Sequence, residues 1–128
     1  MSQNTASALS RFLGRGSAHE GAHHWRAQRL SALALIPLTV WFVVSMFGLP
    51  DYGFATLGAW LAAPWRAVCM SLLVFCLAWH GQLGVQVVIE DYVHGRFVKP
   101  AALLLSSFAH VVLGGAGVFA VLSVAFKG

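Results

Sequence analysis

Three apolar stretches, Leu30–Leu49, Ala67–Ile89 and Ala101–Phe126, constrain this chain more than anything else in it. Each has about the ~20 residues that a helix needs to cross a hydrocarbon layer. Within a bilayer only the chain itself can satisfy its N–H and C=O groups, so each stretch is expected to be helical. Of the 128 residues, 59% are hydrophobic and 9% charged, which excludes an ordinary soluble domain. The chain shows no internal repeat and is too short for a transporter built from one. The expected fold class is an all-α membrane protein with three transmembrane helices that packs against a partner subunit. Pro37 falls inside the first span and is expected to bend it, while Pro50, Pro64 and Pro100 mark boundaries.

The net charge of +4 is explained by topology rather than by a nucleic-acid partner, because the charges sit at the ends of the apolar stretches. Arg11, Arg15, Arg26 and Arg29 precede the first span, and Arg96 and Lys99 lie between the second and third. Only Arg66 and Lys127 fall on the opposite side. The positive-inside rule then puts the N-terminus in the cytoplasm, or in the matrix of a mitochondrion. Residues 1–28 read as a polar segment without the apolar centre of a cleavable signal, and residues 29–128 as the membrane domain. Trp60 and Trp65 suit the far interface. The apolar residues between Pro50 and Arg66 are expected to form a short interfacial helix. Cys69 and Cys76, seven residues apart in one span, have no iron–sulfur or haem-attachment spacing and read as small hydrophobes.

His80 stands inside the uncharged second span. A titratable ring at that depth is costly and signals either a hydrogen bond to a neighbouring helix or a function. Haem iron is a natural partner, since neutral imidazole is a strong iron ligand. At about 100° per residue, His80, Gly84, Val87 and Asp91 share one face, with His80 roughly 16 Å along the axis from Asp91. Gly84 carries no side chain and leaves room for a flat ring or another helix.

Two stretches together resemble a known family. One is His23-His24-Trp25-Arg26-Ala27-Gln28-Arg29-Leu30-Ser31-Ala32 at the opening of the first span. The other is His80-Gly81-Gln82-Leu83-Gly84 running on to Glu90-Asp91-Tyr92. They resemble the small cytochrome b anchor subunits of succinate dehydrogenase (respiratory complex II), of the alphaproteobacterial D type, over about residues 20 to 128. The resemblance implies that His80 is an axial ligand of haem b and that a second anchor subunit supplies the other ligand. It implies that Tyr92 hydrogen-bonds a ubiquinone carbonyl with Asp91 beside it. Arg29 would lie near the haem propionates and the quinone, with His23 in the same region. A flavoprotein and an iron–sulfur subunit would hold the FAD and the clusters. The chain would then not be catalytic alone, and would sit in a bacterial inner membrane.

His110, in the third span, lies at a depth close to that of His80. It reads as a packing residue or the maker of a local hydrogen bond, and a second ligand from this chain is geometrically conceivable. Ser106, Ser107, Gly114, Gly115 and Gly117 form a small-residue surface around it, with His110, Gly114 and Gly117 on one face for close helix packing. His94 reads as solvated. His19, His23 and His24 could in principle bind a metal, a weak signal in a polar tail. Two rivals remain: the anchor of a quinol:fumarate reductase, built from similar parts, and a haem-free structural membrane subunit.

Overall fold

A computed structural model describes residues 17–127. Arg11 and Arg15 lie outside the described residues, as does the side chain of His19. All regular structure described is helical: α1 (Ser17–Phe47), α2 (Phe54–Leu61), α3 (Pro64–Tyr92) and α4 (Val98–Lys127). Three helical segments are long and apolar enough to cross a membrane: Gly21–Phe47, Pro64–Tyr92 and Val98–Lys127. Their 27, 29 and 30 residues correspond to roughly 40–45 Å of helix, a bilayer with its headgroup layers included. The helices therefore outrun the apolar stretches, because helical hydrogen bonding continues through the interfacial zone. The chain is a multi-pass membrane protein.

Local chemistry sets the helix ends. Pro64 occupies the first turn of α3, where a missing N–H costs nothing. At the other end Val93 turns extended, with its N–H donating to the Ile89 carbonyl. Gly95 follows at φ 155°, a backbone conformation that strains any residue with a side chain. Pro37 lies within an unbroken α1. Its ring nitrogen cannot donate to the Leu33 carbonyl, a loss that membrane helices tolerate. The segment between Pro50 and Arg66 contains the expected short helix, α2.

The three long helices stand in a row. α3 packs against α1 on one side and α4 on the other, and no backbone contact joins α1 to α4 among the described residues. Small residues bring α3 and α4 together: a side chain on Gly114 would meet the Ala78 methyl at 3.0 Å, and one on Gly117 would meet Cγ1 of Val74 at 2.6 Å. A row has two open flanks, so few side chains are buried. The main apolar cluster, Trp60, Leu61 and Val121, forms where α2 folds under the row. There Trp41 stacks on Trp60 with ring centroids 5.6 Å apart and meets Trp65 edge-on at 6.0 Å. Arg66 donates to the Trp60 carbonyl at 3.1 Å and lies over both the Trp60 and Trp65 rings. This aromatic cage ties the α2 end of all three long helices into one unit.

Candidate functional site

Ser31 is the one polar residue fully buried among the described residues, at 2% exposure. It sits near the middle of α1 and faces α3, where its Oγ lies 2.9 Å from Nδ1 of His80. The same Oγ donates to the Gln28 carbonyl at 3.0 Å, the i to i−3 back-bond common for serine in helices. His80 is thus held to α1 by one ring nitrogen. Among the described residues the other, Nε2, makes no hydrogen bond and is not sealed from its surroundings. One turn further along α3, a side chain built on Gly84 would find nothing within 4 Å. A ring nitrogen without a partner and a neighbouring turn without a side chain fit the edge of a flat ligand such as haem.

A groove of about 1470 Å³ opens towards the other end from α2, between α1 and α3. Among its lining residues are His23, His24, Gln28, Gly84, Gln86 and Glu90. His23 is exposed there, whereas His24 and Gln28 are half-buried. His24 Nε2 and Gln28 Oε1 are both shut off from surroundings with no hydrogen-bond partner among the described residues. With Ser31 they lie at positions 24, 28 and 31, one face of α1. Buried polar atoms left unsatisfied are costly, so this face suits a polar group from outside the chain.

The other residues implied by the resemblance are spread along the same end. Asp91 and Tyr92 close α3, both exposed, and the Tyr92 hydroxyl makes no hydrogen bond among the described residues. Arg29 is exposed and lies over the Trp25 ring, 5.0 Å from its centroid, outside the lining of the groove. The fold thus brings His80, Gly84 and the 24–28–31 face together. It leaves Arg29, Asp91 and Tyr92 on the surface, where a partner subunit or a lipid-borne ligand can reach them.

Ser31 lies in the stretch of residues 23–32, but one serine in an apolar helix gives no signal of what it faces. A second polar feature was legible only in spacing. Gln82, Gln86 and Glu90 recur every four residues on α3, and Gln86 donates to Glu90 at 2.8 Å. Gln82 donates across to Ser107 Oγ on α4 at 3.1 Å, and Lys99 caps the Glu90 carbonyl at 2.8 Å. This ladder fastens α3 to α4 from within the bilayer to its edge. His110 makes a local hydrogen bond, Nδ1 donating to the Ser106 carbonyl at 2.8 Å, and its Nε2 is packed near Gly81. Cys69 and Cys76 are free thiols, Cys76 buried. Among the described residues no three His, Cys, Asp or Glu side chains converge as a metal site.

Comparison with known proteins adds an independent line. The "succinate dehydrogenase hydrophobic membrane anchor subunit" of Paracoccus denitrificans is 34% identical over 104 residues, covering 80% of each chain. The protein of the same name from Rickettsia conorii is 33% identical over 91 residues, 70% of this chain and 72% of its own. That from Rickettsia typhi is 31% identical over 89 residues, 70% and 71%. Residues 3–123 match the family described as the succinate dehydrogenase/fumarate reductase transmembrane subunit. With three membrane-crossing helices and alphaproteobacterial relatives of one kind, the chain belongs to that family, on the side of the succinate dehydrogenase membrane anchors.

Proposed function

We propose that this chain anchors a succinate:ubiquinone oxidoreductase in the bacterial inner membrane, with its N-terminus cytoplasmic, and there binds haem b and helps to wall the ubiquinone site. One observation carries the haem assignment: His80, deep in an apolar helix, is fixed through Nδ1 while Nε2 makes no hydrogen bond among the described residues, beside the open space at Gly84. His110 is also held through Nδ1, but its Nε2 lies against Gly81 in the α3–α4 contact, whereas Gly84 leaves open space one turn from His80. Nε2 would then hold the haem iron, and a second cytochrome b anchor subunit would supply the other ligand. When bound, the haem supplies a one-electron store beside the quinone.

The remaining residues act through charge and protons. A quinone gathers negative charge on its oxygens as it is reduced, and a donor aimed at that charge is most effective in a partly dry pocket. The Tyr92 phenol is such a donor, and Asp91 beside it orients the local network. Arg29 offers a fixed positive charge to propionate carboxylates or to the quinone oxygens. His23 and the unsatisfied His24 and Gln28 provide further polar contacts in the groove. Succinate is oxidised on a flavoprotein holding FAD, and electrons arrive through an iron–sulfur subunit. The relatives' names favour this direction over fumarate reduction.

The test is the reduced spectrum of the purified complex. A b-type band that is lost in His80→Ala and kept in His110→Ala is the expected result. A wild-type complex with no haem would reduce the chain to a structural anchor.

A further inference from the structure

The bond between Ser31 and His80 has a direction, and the direction has a chemical consequence. Ser31 Oγ touches two groups, the Gln28 carbonyl at 3.0 Å and His80 Nδ1 at 2.9 Å. A hydroxyl has one proton to give, and a carbonyl has none. The proton of Ser31 goes to the carbonyl, so the second contact is satisfied only when Nδ1 carries the hydrogen and donates it to Oγ. In the neutral ring this leaves the lone pair on Nε2.

We infer that Ser31 is the positioning residue for His80. It selects the tautomer with Nε2 free, locks the ring plane against α1, and makes the imidazole a stronger electron donor by accepting its Nδ1 proton. The inference rests on the proposed haem ligation. Burial strengthens the case. Ser31 is 2% exposed, so no water replaces the acceptor if it is removed, and the low surrounding polarity keeps the bond strong. The Gln28 bond fixes the serine rotamer, so the acceptor is already oriented before any ligand arrives. Partners of a ligating histidine's outer nitrogen raise its basicity and fix its orientation, and their loss typically costs about 10–100-fold in metal affinity.

A more electron-rich imidazole favours the ferric state, so Ser31 holds the haem potential down. Ser31→Ala removes the acceptor but introduces a small, helix-favouring residue, and Ser31→Thr restores the hydroxyl. The experiment is a redox titration of the haem band in the purified complex, with haem content per flavin measured alongside. Ser31→Ala is expected to raise the potential, by up to about 59 mV for a tenfold shift of a one-electron equilibrium, and to lower haem content. Ser31→Thr should return both towards wild type. Haem loss in Ser31→Ala that Ser31→Thr restores supports the assignment equally. An unchanged potential and haem content in Ser31→Ala, or a loss that threonine does not restore, overturns it. The wild-type complex and His80→Ala, run in parallel, test the haem reading separately. A wild type with a b-type band that His80→Ala abolishes, beside an indifferent Ser31→Ala, sinks the serine's role alone, whereas a haem-free wild type sinks both.

Discussion

Gly117→Ala should loosen the pairing of α3 and α4, and the structure sets the size of the effect. The added methyl would lie 2.6 Å from Val74 Cγ1, with Cβ and Cγ2 of the same valine at 3.9 and 4.0 Å. Carbon atoms prefer to sit about 3.5–4.0 Å apart, so roughly 1 Å of space must be found. Valine cannot readily turn aside, because a β-branched residue in a helix strongly prefers one χ1 rotamer. The helices must part, and overpacking of this kind costs about 1–3 kcal/mol. Gly115→Ala is the internal control. It lies two residues away on the same helix, makes the same chemical change, and its methyl meets nothing within 4 Å in this chain. The assay tags this chain with a fluorescent protein, heats the detergent-solubilised complex, and follows the intact peak by gel filtration. Gly117→Ala should melt several degrees below wild type and Gly115→Ala close to it. Equal melting of the two variants would refute the claim that Val74 sets the helix spacing.

Three further outcomes are expected. Tyr92→Phe should lower quinone reduction at least about tenfold, one hydrogen bond to a charged group being worth about 1.5–3 kcal/mol; haem content and succinate oxidation with an artificial acceptor should be kept, and unchanged quinone turnover would remove Tyr92 from the pocket. A methyl added at Gly84 meets nothing within 4 Å, so Gly84→Ala should leave folding intact and reduce haem per complex; full haem occupancy would place the ring elsewhere. Asp51, before α2, accepts the Gly53 N–H at 2.7 Å, and this bond, followed by one to Thr56, holds its carboxyl below the ordinary aspartate range. A depressed folded value means that the contribution is present above about pH 4 and is lost as pH falls through the folded value. Protection of the Phe54–Leu61 amides, corrected for the intrinsic pH dependence of exchange, should therefore fall on acidification, and Asp51→Asn should remove that dependence.

The helices were legible because bilayer physics leaves an apolar stretch of this length no alternative. Their ends were less so, since α1 already covers residues 21–29 and α3 runs to Tyr92, through polar residues whose helicity owes nothing to lipid. The glycine face of the third span was read correctly for a similar reason. Helical period put Gly114 and Gly117 with His110, and these two glycines are the ones pressed against Ala78 and Val74, while Gly115 is open. The row arrangement was not legible. Nothing in spacing says that α3 stands between two helices whose backbones make no contact among the described residues. Ser31 was hidden for the same cause: its importance lies in a residue 49 positions away, and a lone serine looks alike whether it faces lipid, a helix or a ligand. Trp41 escaped notice as well, being one apolar residue among many until Trp60 and Trp65 fold against it.

The row also explains how rigidity and function are divided. At the α2 end, Trp41, Trp60, Trp65 and Arg66 interlock, and Val121 and Leu61 complete a dry cluster. Away from it, α1 and α3 line a groove whose buried polar atoms have no partner among the described residues. In a closed three-helix bundle α1 would meet α4 and leave a single continuous exterior, with no flank open to a shared ligand. In a row, the central helix shows two flanks to the membrane, and its histidine is braced from one neighbour only. That geometry is what the proposed shared ligand requires: α1 holds His80 from behind, the aromatic cage keeps α1 and α3 in register, and Nε2 makes no hydrogen bond among the described residues.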